Sequence, residues 1–588
     1  MIRPTHLAVI AAFGVVLGGL TQAQAPHLRQ ALRLHPDDGG QDGGQASPKR
    51  PTSAKASAPV KTTADKTVGS QVRNAELEFR RGVTWLHSFM YEDAIDAFRA
   101  AQKADPSFAV AYWGEAISFS QPLWFFEEID QGRAALAKLG ATPAERIAKA
   151  KTPRDQGFMR AVEALFGSGD KAARAMAHAR EMARVAADHP GDDDAQTFYA
   201  LALLATMPRG DSALPIRRQA GEIAERVFAR NPRHPGAPHY ILHAYDHGTL
   251  ASKALPAARA YARIAPEASH ALHMPAHAFL QLGLWDEAAA NDEASWNASI
   301  AWTKRRGLTI AQRDYHSLAW LQYEWLQQGR FSKTKEAIAL VDEAMRSASA
   351  ATASGKASVS QAVSPQHAGG HGYGEQSDIG RGSNDAALRN DRGSMRARYI
   401  IESERWQEMK GQSTFDNIEE LFALGLSAVN LGDAPRVRVV IDEFRKASAP
   451  SQPVELREQA GLMLQQMQAL DLFAQGRHAE AFVALDRAVI QQNRMPRPIG
   501  RPMPVKDVNE LYGELELQVG RARQAVIWFE RALARTPNRS RALLGLARAH
   551  RNASDAADAR AAYKRFLTNY RLADAGLPEV TEAREALR

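Results

Sequence analysis

Residues 220–266 read AGEIAERVFARNPRHPGAPHYILHAYDHGTLASKALPAARAYARIAP, and several of them return at a fixed interval. Ala220, Val227 and Pro232 recur 34 positions later as Ala254, Tyr261 and Pro266, and the first two recur again as Ala288 and Ser295. The same interval carries Ala525, Phe529 and Ala532 onto Ala559, Tyr563 and Phe566. The first unit, Gly82, Ala94, Phe98, Ala101 and Pro106, has spacings of 12, 4, 3 and 5. Small residues where helices cross, an apolar residue one turn later and a closing proline suit two antiparallel helices per repeat. A period in this range marks an array whose units bury their apolar faces against one another. The expected fold is an all-α solenoid.

The combination resembles the tetratricopeptide repeat family. The resemblance covers roughly 71–345 and 395–588, with the spacing drifting between Gly140 and Pro190. It implies helix-turn-helix units in two blocks with a concave groove lined by the first helix of each unit. Two strings, DPSFAVAYWG from Asp105 to Gly114 and HALHMPAH from His270 to His277, are similar to a group of exported bacterial tetratricopeptide proteins with no established activity. That likeness implies export, into a Gram-negative periplasm or beyond the cell, and leaves the chemistry open.

Outward from the repeats, the chain has 588 residues, 45% hydrophobic and 24% charged, enough apolar material for a packed core. No cysteine occurs, which excludes a thiol nucleophile, a disulfide framework and any thiolate metal site. A net charge of +8 without a basic, aromatic-interleaved stripe argues against nucleic acid as partner. Arg3 and His6, an apolar run from Leu7 to Leu20 and small residues up to Ala25 describe a signal peptide over 1–25. The run is shorter than the roughly 20 residues a membrane helix needs, and no later segment reads as an integral span. Residues 26–70 and 346–394 are rich in Gly, Ser, Ala, Pro and charge and read as a tether and a low-complexity insertion.

Eight of the 18 histidines fall between His234 and His316. His239 and His273 are 34 apart, as are His243 and His277, and each pair is spaced four residues along a helix. Such neighbours share a face with Cβ atoms roughly 5–6 Å apart, and packed helices lie about 8–10 Å apart. Two pairs side by side could therefore converge on one point or on two adjacent points. Pro275, between His273 and His277, predicts a helix that starts near Met274 or bends there.

The repeat resemblance implies that His239 and His273 (position 5 of the first helix), His243 and His277 (position 9), His270 (position 2), Asp246 (position 12) and His247 (position 13) line the groove. His316 takes position 2 of a later unit, with Asp314 just before it. The metal ligands expected are His239, His243, His273, His277 and His316, with Asp246, His247, His270 and Asp314 as further ligands or orienting groups. Trp113 falls at position 5 and is expected in the groove; Trp85 and Trp325, at position 11, are expected in the core. His87, His178, His189, His478 and His550 read as surface or internally satisfied residues, and Arg539 and Arg541 as solvated faces.

Nitrogen and oxygen donors without thiolate suit zinc, copper(II) or non-haem iron. The groove histidines could equally contact a peptide or small ligand, or repeat because the ancestral unit carried them. No HExxH, GxSxG, P-loop or GxGxxG occurs, so metal chemistry is the main route to catalysis. The readings are an exported scaffold binding a protein or peptide partner, a metal-dependent enzyme (redox or hydrolytic) built into the groove, and a metal store or carrier.

Overall fold

The computed structural model describes residues 63–353 and 385–588, apart from Phe125 and Arg209. The expected signal peptide, most of the tether and the centre of the insertion lie outside the described residues. The remainder is almost wholly helical, with one antiparallel strand pair, Ser120–Gln121 and Phe126–Glu127, among the described residues. The protein is an all-α solenoid.

Each unit is a helical hairpin. Thr63–His87 packs on Tyr91–Ala104, Ser269–Gln281 on Trp285–Arg305, Val508–Gln518 on Ala522–Arg535 and Ser540–Asn552 on Ala556–Asn569. The residues that set the period are the ones that fill these joints: Ala94, Phe98, Ala101, Ala525, Phe529, Ala532, Tyr563 and Phe566 are all buried. A buried phenylalanine contributes roughly 1.5–3 kcal/mol relative to an exposed one, so a repeated Phe or Tyr at this place stabilises every joint alike.

Three boundaries differ from expectation. The first helix begins at Thr63, inside the stretch read as tether. Phe331–Ala353 runs past residue 345, and Asp385–Ser403 begins before 395. Alanine-rich ends such as 347–353 cost little to keep helical, so local propensity extends both helices into the insertion. Trp113 also departs from the groove reading. It is buried among Phe98, Phe158 and Phe198, with ring centroids 6.5, 5.1 and 5.3 Å away. Among the described residues no helix is long and apolar enough to cross a membrane.

The two expected blocks belong to one unit spanning Thr62–Arg588, because the chain returns on itself. Trp285 Nε1 donates to the Asn538 carbonyl at 2.9 Å, and Ser540 donates through its amide to Gln327 Oε1 at 2.9 Å and through its hydroxyl to the Gln327 carbonyl at 2.6 Å. Arg539, read as solvated, is instead buried in this closure. Its guanidinium lies 2.6 Å from both Glu402 and Glu510 and donates to Tyr323 Oη at 3.0 Å. Such a cation stays charged in a dry interior only because two carboxylates surround it. Arg541 is buried beside it, paired with Glu404.

Gly283 is the closest approach. Its φ is +68°, and a Cβ there would stand 2.2 Å from the Pro537 carbonyl oxygen. Gly432 has a similar φ of +70° with nothing within 4 Å of an added Cβ. Gly432→Ala should therefore cost only the left-handed backbone, about 1 kcal/mol, while Gly283→Ala should cost clearly more by prising the closure apart. Paired denaturant titrations check this; equal losses would show that the closure contributes no stability.

Candidate metal centre

The histidines sit on three successive first helices of the array. Gly236–Tyr245 carries His239 and His243, Ser269–Gln281 carries His270, His273 and His277, and Tyr315–Gln327 carries His316. They assemble into two triads. In the first, His239 Nε2 lies 3.0 Å from His243 Nε2 and 3.1 Å from His270 Nε2, and the last two are 3.4 Å apart. In the second, His273 Nε2 lies 2.9 Å from both His277 Nε2 and His316 Nε2. The triads adjoin, since the His270 and His273 rings are 6.5 Å apart. Each follows one plan: a pair four residues apart on one helix, joined by the second residue of the next. All five expected ligands take part, and His270, expected only as a possible one, is a full member.

Pro275 does not disturb this. The helix runs unbroken from Ser269 to Gln281 with Pro275 inside it. The missing amide deprives only the preceding turn of a donor, and the His273 and His277 rings still meet as an ordinary i, i+4 pair.

The outer nitrogens fix the rings. His239 Nδ1 donates to the His87 carbonyl, His273 Nδ1 to Asp292 Oδ1 at 2.6 Å and His277 Nδ1 to Asp246 Oδ2 at 2.7 Å. An acceptor at Nδ1 places the ring proton there and leaves the Nε2 lone pair facing inward, the arrangement of a histidine prepared to bind a metal. Gln281 holds the other Asp246 oxygen. Burial, and then the neighbouring Asp292 carboxylate, raise the Glu324 carboxyl well above its ordinary range. Arg217 donates to the His243 carbonyl at 2.8 Å.

The site is not an open groove. His239, His270, His273 and His277 are buried, and His243 and His316 nearly so. Phe89 covers the first triad, its ring 4.3 Å from His239 and 5.4 Å from both His243 and His270. Trp320 closes the second, 4.3 Å from His277 and 4.9 Å from His273. His239, His243 and His270 would hold one ion through their Nε2 atoms, and three protein ligands would leave room for a further ligand.

Two expected contributors play other parts. Asp314 caps its helix, its carboxylate accepting from the Ser317 amide at 3.1 Å and the Ser317 hydroxyl at 2.6 Å. His247 lies past the helix end with Nδ1 2.9 Å from Thr249 Oγ1, outside both triads. Asp246 is an orienting group, as its spacing allowed. Sequence reasoning missed Asp292, whose signal was a carboxylate in the small buried stripe Ala288, Ser295 and Ser299. It also missed Phe89 and His87.

His87, Asp194 and His234 form a third cluster of different chemistry. His234 Nδ1 accepts the amides of Gly236 and Ala237 at 3.1 and 3.2 Å, so its Nε2 carries the proton and donates to Asp194 Oδ1 at 3.1 Å. His87 Nε2 reaches the same oxygen at 3.0 Å, and its Nδ1 accepts from Tyr240 Oη at 2.9 Å. Burial alone would raise the Asp194 carboxyl, but these two histidines hold it far below its ordinary range. The cluster is a hydrogen-bonded brace, and it sets the His87 carbonyl against His239. Gly236 permits the fit, because a Cβ there would lie 2.4 Å from His87 Nδ1.

No family model matches the chain, and no curated protein matches it. Solved structures that are similar include a human IFIT1 dimer with m7Gppp-AAAA, at 12% identity over 87% of this chain and 96% of that chain, TM-score 0.32. A monomeric mutant of IFIT1 with Gppp-AAAA has 13% identity over 88% of this chain and 99% of that chain, TM-score 0.33. Likeness at these scores carries no argument about function.

Burial, and then the neighbouring rings, push His243, His270 and His316 well below the usual imidazole value, and burial takes His239 from 6.5 to about 3. In the metal-free chain these rings are neutral when folded and titrate near 6.5 when unfolded, so the unfolded chain binds more protons below that pH. Stability should be full above about pH 7 and fall as pH drops. His239 alone would remove about 1.4 kcal/mol per pH unit on the way from 6.5 to its folded value. Melting curves from pH 5 to 8 test this; a melting temperature flat across that range would contradict it.

Proposed function

We propose that the protein is a helical-repeat scaffold for a two-metal centre, one ion on His239, His243 and His270 and its neighbour on His273, His277 and His316, and that the pair carries out metal-dependent chemistry on a small molecule. The observation that supports this most is the inward convergence of six Nε2 atoms in two triads, three of whose rings already have their outer nitrogens tied. Three protein ligands per ion leave a position for water or substrate, as catalytic sites require and closed four-ligand structural sites do not. The donors of both triads are imidazole alone, which suits copper or zinc better than the two-histidine, one-carboxylate pattern of non-haem iron. An open peptide-binding groove is the weaker reading, because the histidines that would line it are covered by aromatic rings.

The first test is elemental analysis of the chain purified without a histidine tag and reconstituted with copper or zinc. Two ions per chain are expected, about one in His243→Ala or His277→Ala, and none in the double variant. Asp292→Asn should keep the fold and weaken uptake roughly 10- to 100-fold, the usual effect of losing an orienting partner. Absence of metal in the wild-type chain after reconstitution would end this reading and favour peptide and partner screens. Residue-level placement in an exported compartment is a separate proposal, tested by whether the mature chain recovered from cells begins near Pro26.

A further inference from the structure

Behind Phe89 lies a cavity of about 340 Å³, within the size range of small-molecule sites. It opens between the end of the Thr63–His87 helix and the helices Lys171–Asp188 and Asp193–Leu204. The side chains that leave the space are alanines, with Ala175, Ala202 and Ala205 on its wall where larger residues would fill a core. Phe198 and Leu201 make the rest of the surface near Phe89 apolar. Phe89 is therefore a wall shared by the cavity and the first triad, and its backbone is held at a φ of +57°, a conformation unfavourable for a bulky side chain. Strained backbone of this kind is common at functional sites.

The polar groups on the lining are few. Glu127 is already paired with Arg174, and burial pushes the Lys171 ammonium below its ordinary range. His178 is more informative. Its Nδ1 donates to the Ala161 carbonyl at 2.8 Å, which fixes the proton there and makes Nε2 an acceptor. A buried histidine held in this tautomer recognises a hydroxyl or amine donor.

We infer that the cavity binds a neutral, apolar molecule carrying one hydroxyl, whose proton is accepted by His178 Nε2 while its apolar body lies against Phe89, Phe198 and Leu201. Its place as the chamber for the centre's substrate rests on the two-metal reading; the binding itself does not.

The probe is 4-propylphenol, titrated calorimetrically into the chelator-treated full chain beside its methyl ether. One phenol per chain is expected, with the ether at least tenfold weaker. His178→Leu should abolish that preference while leaving the ether's affinity in place. Ala175→Trp, on a half-buried position that tolerates size, should abolish binding of both, and its melting curve shows whether it folds. No binding of either compound, binding untouched by Ala175→Trp, or an ether bound as well as the phenol would each overturn the proposal. The two readings fail separately: a chain that takes up no metal yet binds the phenol leaves this inference standing, and a metal-loaded chain that ignores the phenol does the reverse.

Discussion

At each of two neighbouring points this protein crowds three imidazole nitrogens together, in an interior that burial keeps poor in water. The carbonyl of His87 and the carboxylates of Asp246 and Asp292 take the outer protons of three rings, so those rings keep an Nε2 lone pair facing inward. Protonation is no escape either, since burial disfavours the charged imidazolium. A cation at each focus would satisfy all of these groups together. The rest of the structure holds the rings while they wait: Phe89 and Trp320 press on the two triads, and the brace of His87, Asp194 and His234 ties the first hairpin to the helix that carries His239.

The fold was legible because packing repeats when sequence does. Ala94, Phe98 and Ala101 are read off as a spacing, and the same atoms fill the joint between helices. The paired histidines were legible for the same reason. What the period could not convey was distance across the array. Nothing local marks Arg539 as buried, because its partners Glu402 and Glu510 and the Tyr323 hydroxyl come from elsewhere in the chain. Trp113 sits at a groove position in the repeat register, yet Phe158, from the irregular stretch, and Phe198, from the helix just after it, close over it. Asp314 looked like a further ligand or orienting group beside His316 and is the cap its helix needs at that end. Pro275 looked like a break and is tolerated because the helix around it is packed on all sides.

A repeat array gives the site an unusual support. Hairpins contacting only their neighbours transmit strain locally, and a loaded groove would ordinarily flex along its length. Here the turn at Gly283 and the helix end at Gln327 are bound to Asn538 and Ser540. The helices bearing His273, His277 and His316 are thus anchored both by their neighbours and by a segment more than 200 residues away. That second anchorage fixes ligand geometry more firmly than a linear stack could.

The two triads are successive copies of one plan, related by the step of the repeat, and no two-fold axis exchanges them. Their surroundings differ accordingly. The first leans on a neutral peptide carbonyl, the second on two carboxylates. Carboxylates make their imidazoles stronger electron donors, so an ion on the second triad would tolerate the higher charge and an ion on the first the lower. The chain thus repeats its rings and varies what stands behind them, so two sites of one plan would differ in the charge they favour.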